Sequence, residues 1–208
     1  GMILYNNPDS SVNADLHFVP TVHVDKASGL AIKAYAAGDP AATATINAAT
    51  GLAMLSDGTI LIAEFGGNRI RATSPGGVTS TYLGNGSATS TGDGGTPAAA
   101  TVNGPRDVVV VPGGTASDYV LYVSEYTGQR IRKVSVTGGV GTVSTVAGTG
   151  SAGFGGDGGA AGSAQLSNPT SLSVDAVTGD LYVADTANNR IRKITATAGV
   201  ISSSKTIT

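Results

Sequence analysis

Apolar and polar positions alternate along this chain in short bursts, and the bursts recur. The sequence reads LIAEFGGNRIR from Leu61, LYVSEYTGQRIRK from Leu121 and LYVADTANNRIRK from Leu181. In each phrase an apolar-rich run ends at an acid, four turn-forming residues follow, and a second alternating run opens at an arginine, which is the pattern of a β-hairpin. The opening arginines Arg69, Arg130 and Arg190 lie 61 and 60 residues apart in a chain of 208. So regular a period marks one structural unit used repeatedly.

Each unit holds more than the hairpin. In the third, residues 169–175 alternate apolar and polar at Leu172 and Val174, and Thr178-Gly179-Asp180 supplies turn chemistry. Strands are then expected at 181–185 and 190–195, with a fourth at 200–208. Unit one predicts strands at 51–56, 59–64, 69–74 and 78–84, and unit two at 106–111, 119–125, 130–136 and 142–148. No stretch keeps helical periodicity for three turns, and no apolar run approaches a membrane span. The expected fold is all-β, a β-propeller of four-stranded antiparallel blades, with three full blades plus a partial N-terminal one.

Between the units lies a second repeated element. YLGNGSATSTGDGGTPAAATVNGP (Tyr82 to Pro105) matches VAGTGSAGFGGDGGAAGSAQLSNP (Val146 to Pro169), sharing GDGG and a proline just before the next strand. A shorter version at residues 34–50 implies an outer strand at 31–36 left from an earlier blade. Together, ADTANNRIRKI and the GDGG connector resemble bacterial NHL-repeat β-propellers, over residues 31–208. The blades then fall at about 51–84, 105–148 and 169–208. Residues 1–30 show no match and form a separate N-terminal segment, with degenerate blade strands sought at 15–19 and 22–25.

Charge narrows the partners. The 12 Lys+Arg against 14 Asp+Glu give a net −2, so no field draws a phosphate backbone, and nucleic acid is not expected as a partner. Eight of the basic residues sit in the repeated phrases, each cluster preceded by an acid at fixed distance. Glu64 with Arg69, Glu125 with Arg130 and Asp185 with Arg190 are therefore expected as structural cross-strand pairs, worth about 0.2–1 kcal/mol each. With no cysteine there are no disulfides or thiolate sites. The Gly, Ser, Thr and Ala richness points to an extracellular, periplasmic or cell-surface protein, and membrane insertion is not expected.

The connectors' GDGG is expected to make turns. It lacks the convergent oxygens of a calcium site and the following helix of a phosphate loop. His17 and His23, the only histidines, have no recognised ligand spacing, so no catalytic residue, metal or cofactor is assigned.

Positions where the repeats differ are the better candidates for function. After the acid come Phe65, Tyr126 and Thr186, and at the start of the inner strand Arg106 and Asp107 stand where the third unit has Thr170 and Ser171. Phe65, Tyr126, Arg106 and Asp107 are the candidate ligand-binding residues. The two aromatics either anchor a ligand on the loop face or pack on the neighbouring blade.

Three units and a fraction fall short of the usual four to eight blades. Residues 2–29 complete a fourth blade, or two chains close one ring as a homodimer, or the sequence is part of a longer chain; the last two are favoured. The resemblance implies a non-enzymatic binding scaffold with a protein or carbohydrate ligand on the loop face. A metal-dependent enzyme of the lactonase or amidating-lyase type is the alternative, and a structural spacer in a larger surface protein the second.

Overall fold

The computed structural model describes residues 23–24, 31–33, 43–115, 117–197 and 199–208. It is a β-propeller array in which each repeated phrase is the middle hairpin of a blade. The first full blade is β4 (Ala49–Met54), β5 (Ile60–Glu64), β6 (Arg69–Thr73) and β7 (Thr79–Leu83), paired in that order. The second is β8 (Pro105–Pro112), β9 (Tyr119–Glu125), β10 (Arg130–Thr137) and β11 (Val140–Ala147). The third has β12 (Pro169–Val174), β13 (Leu181–Asp185) and β14 (Arg190–Ile194). All neighbouring strands are antiparallel.

The third blade's fourth strand is shorter than the sequence pattern suggests. Only residues 206–208 pair with β14: Lys193 N–H donates to the Thr208 carbonyl at 2.6 Å, and Thr195 N–H donates to the Thr206 carbonyl at 2.9 Å. Val200 pairs instead with Thr197, and residues 202–205 turn, Lys205 N–H donating to the Ser202 carbonyl. Upstream, β1 (His23–Val24), β2 (Ala31–Lys33) and β3 (Thr43–Thr45) form a three-stranded sheet in that order. Of the outer strand expected at 31–36, residues 31–33 are central among the described strands, because residues 43–45 supply a third strand, and residues 34–36 lie outside the described residues. The candidate strand at 22–25 contains β1, and the one at 15–19 lies outside the described residues.

The blades are held together by alternation. Along β9, Leu121 and Val123 point toward the first blade and join Leu61, Ile70 and Leu83, while Tyr122 points the other way and joins Leu172, Leu181 and Val183. Successive side chains on a strand leave opposite faces, so one strand serves two interfaces. The third blade's far face has the same chemistry, and among the described residues nothing covers it to the same extent. Tyr182 is 37% exposed and Ile191 69%, where their repeat equivalents Tyr122 and Ile131 are 3% and 0% exposed.

The connectors do more than link blades. Gly94 N–H donates to the Val143 carbonyl at 2.8 Å and Val143 N–H donates to the Gly95 carbonyl at 2.9 Å, so the first connector lies along the outer edge of the second blade. Gly158 and Gly159 make the same two bonds with Ile207. Each connector thus covers the outer edge of the blade it leads into, and an uncovered edge invites pairing with other chains.

Candidate functional site

The repeated charges build the scaffold. Glu64 lies directly opposite Arg69, Glu125 opposite Arg130 and Asp185 opposite Arg190 in the strand register. In the second and third blades, however, the acid's ion pair is with the next arginine along. Arg132 Nη1 is 3.1 Å from Glu125 Oε1, and Arg192 Nη1 is 3.2 Å from Asp185 Oδ2. The reason is depth. Arg130, at the mouth of the turn, donates to the Thr149 carbonyl of the connector, as Arg69 donates to that of Asn85. Arg190 instead stacks on the Phe154 ring at 3.7 Å.

The second arginines of the second and third phrases are buried on the same face as the acid, whereas Arg71 of the first is half-buried and donates to Thr81 Oγ1. Arg132 also reaches Asp93 of the connector at 2.7 Å and donates to the Thr91 and Thr101 carbonyls, while Arg192 reaches Asp157 at 2.6 Å and the Gln165 and Gly155 carbonyls. The GDGG aspartates therefore do not simply bond their own turns. Asp93 ties the connector to the next blade, its second oxygen accepting from Thr145 N–H.

Two carboxylates share the Arg132 guanidinium, and Glu125 is the one removed from water. Burial pushes the Glu125 carboxyl up to about 7, against the pull of Arg132 and the hydrogen bond from Ser90. Glu64 is also raised, by desolvation outweighing Arg71. A carboxyl raised above its ordinary 4.5 binds its proton more tightly folded than unfolded. Stability should then fall as pH rises from about 4.5 to about 7. The lowered Asp57, Asp118 and Asp175, held down chiefly by backbone hydrogen bonds, act with the opposite sign and only below their ordinary 3.8. We expect the urea midpoint to be higher at pH 5 than at pH 8, and Glu125→Gln to flatten most of that difference; an unaltered slope in the variant would contradict this origin.

The residues that break the repeat come together around Gly104. The turns after β5 and β9 end in left-handed residues, Asn68 (φ 50°) and Gln129 (φ 54°). Asn68 Oδ1 accepts from Gly104 N–H at 2.8 Å, and the Gly104 carbonyl accepts from Tyr126 N–H at 2.9 Å. One residue thereby joins the first blade's turn to the second blade's own. Gly104 itself has φ 61°, and a Cβ there would lie 2.5 Å from Thr127 Oγ1 and 3.2 Å from Phe65 Cε2. Only glycine lets the two turns approach so closely.

Arg106, two residues on, projects between the two turns. Its guanidinium carbon is 5.5 Å from the Phe65 ring centroid and 5.6 Å from that of Tyr126, and the rings meet edge to face at 5.7 Å and 79°. All three side chains are half-buried. In the next blade the equivalent positions hold a Thr170–Thr186 hydroxyl pair at 2.6 Å.

Asp107 has a different part. Its carboxylate accepts from Val108 N–H at 2.9 Å and from Leu172 N–H of the next blade at 2.8 Å, fastening the inner strands to each other. It fixes the backbone from which Arg106 projects. Among the described residues no three His, Cys, Asp or Glu side chains converge as a metal set, and no helix is long and apolar enough to cross a membrane.

Sequence reasoning missed the buried second arginines, although RIR repeats both at one spacing. It singled out Phe65, Tyr126 and Arg106 as departures from the repeat, but the role of Gly104 in joining them needed the strand order.

The NHL repeat family model matches residues 166–194, from just before β12 to the end of β14. No curated protein matches the sequence. Solved structures share the fold. An auxiliary nutrient binding protein from Bacteroides ovatus superposes with a TM-score of 0.58 at 18% identity, over 80% of this chain and 42% of that one. A structural genomics protein of unknown function from Bacteroides thetaiotaomicron gives 0.58 at 17% identity, over 89% and 44%. An auxiliary nutrient binding protein from the latter organism gives 0.50 at 13%, over 76% and 34%. The chain spans less than half the length of each of these proteins, and at such identities the likeness is one of fold.

Proposed function

We propose that this NHL-repeat β-propeller is a non-enzymatic binding scaffold that takes a carbohydrate or protein ligand on its loop face, at Phe65, Arg106 and Tyr126. The observation that carries this is the cluster itself. Two aromatic rings and a guanidinium converge at the junction of the first and second full blades, where the third blade has a threonine pair. Half-exposed aromatics beside a cation are the usual anchors of recognition surfaces. The solved neighbours named as nutrient binding proteins agree with such a role.

A metal-dependent enzyme would need free carboxylates or histidines at the channel mouth. Here Asp107 is taken up by backbone N–H groups, and Glu125 and Asp185 by arginines. The test is to pass the native chain over glycan and protein arrays. We expect a reproducible ligand whose binding drops at least about tenfold with Phe65→Thr or Tyr126→Thr, as the loss of a central anchor predicts. Binding indifferent to both substitutions, or no ligand on either array, would overturn the proposal.

A further inference from the structure

We infer that the ligand is an acidic carbohydrate, with Arg106 taking a sugar carboxylate while Phe65 and Tyr126 flank the ring; this rests on the binding reading above. The decisive feature is the state of Arg106. Among the described residues its guanidinium has no hydrogen bond or ion pair, only the two aromatic rings at 5.5 and 5.6 Å. Five N–H donors in a planar fork are thus held, half-buried, without an acceptor. A neighbouring acid would normally neutralise such a group. Asp107 is adjacent in sequence, but both of its oxygens are occupied by the amides of Val108 and Leu172.

A guanidinium left open in this way suits a carboxylate, which it meets with two parallel hydrogen bonds. The setting then separates acidic sugars from acidic peptides. Readers of acidic peptides gather clusters of arginines. Here Arg69 and Arg130 are directed to the connector carbonyls of Asn85 and Thr149 and Arg190 to the Phe154 ring, so Arg106 is the one arginine set between Phe65 and Tyr126. The net charge of −2 adds no field to collect a polyanion. Beside that cation stand two aromatic rings set at 79°, and the Thr127 hydroxyl lies beside Gly104 in the turn that carries Tyr126. One charge, two aromatic rings and a neighbouring hydroxyl match a pyranose ring bearing a single carboxylate.

The test uses the native chain and calorimetry with oligogalacturonate, oligoglucuronate and oligomannuronate, the methyl ester of each, and penta-glutamate. At least one uronate is expected to bind about tenfold or more tightly than its methyl ester, as a charge-assisted bidentate contact implies. Arg106→Gln should erase that difference, Arg106→Lys should restore only part of it, and penta-glutamate should bind weakly or not at all.

Equal binding of a uronate and its ester, or no uronate binding, would overturn the inference. A neutral glycan that binds and is lost with Phe65→Thr would leave the scaffold reading standing while removing the carboxylate. Penta-glutamate binding more tightly than every uronate, and lost with Arg106→Gln, would replace the sugar by a protein ligand.

Discussion

Replacing Arg132 with alanine is expected to lower folding stability by about 3–5 kcal/mol, the usual result of removing one partner from a buried charge pair. Arg132 is fully buried and holds Glu125, Asp93 and the carbonyls of Thr91 and Thr101 with its two terminal nitrogens. Alanine leaves Glu125 without its cation in a site that already disfavours charge, and it leaves two connector carbonyls short of a donor. The connector would then lose its grip on the second blade, exposing the β11 edge that Gly94 and Gly95 cover. Urea denaturation of the single variants and of Glu125→Gln with Arg132→Met reads the coupling. The double substitution should cost clearly less than the sum of the singles, because it leaves no unpaired buried charge. A loss under about 1 kcal/mol for Arg132→Ala, the range of an exposed ion pair, would show that the network is ornamental to stability.

The second large effect is expected at Gly148, where β11 turns into the connector. Its φ is +91°, and an added Cβ would press on the Gln129 carbonyl oxygen and lie 3.0 Å from Arg130 Cα. Both obstacles are backbone, and that backbone is held, since Arg130 opens β10 paired with Glu125, while the Gln129 side chain accepts from Asn168 N–H through its Oε1 at 2.6 Å. Nothing there can move aside cheaply. A left-handed alanine costs about 1–2 kcal/mol, and forced overpacking adds about 1–3 more. Gly148→Ala should therefore lose about 3 kcal/mol or more in urea denaturation. Gly158→Ala is the matched comparison, because it shares the positive φ of 81° but has no atom within 4 Å of the added Cβ. It should lose about 1–2 kcal/mol, and equal losses at the two sites would assign the whole effect to φ rather than to close approach.

Local patterns were well legible in the sequence, and distant contacts were not. Alternation and the Asn- and Gly-rich turns located β5 with β6, β9 with β10 and β13 with β14, because a hairpin is decided by residues adjacent in the chain. The register of Glu125 opposite Arg130 follows from the four-residue turn. The partners of Arg132 do not, for Asp93 lies in the preceding connector and meets it only after one blade has packed on the next. The same limit hid β3, whose Thr-Ala-Thr has little apolar signal, and the confinement of the last strand to 206–208.

The candidate site shows the same division. Phe65, Tyr126 and Arg106 stand out as departures from the repeat, and that much is readable. Their meeting depends on Asn68 of one blade bonding Gly104 of the next, which no local pattern announces.

Whatever the blades repeat builds the scaffold, and the departures from the repeat are proposed to carry binding. The third blade supplies the neutral replacements, since Thr186 and Thr170 occupy the positions of Tyr126 and Arg106 in a blade that folds. The most direct measurement is therefore ligand binding by the variant carrying Phe65→Thr, Arg106→Thr and Tyr126→Thr, with its unfolding midpoint recorded alongside. A midpoint close to the native one with binding abolished is the predicted result. Binding retained at native strength, or a collapse of stability on the scale expected for Arg132→Ala, would contradict it.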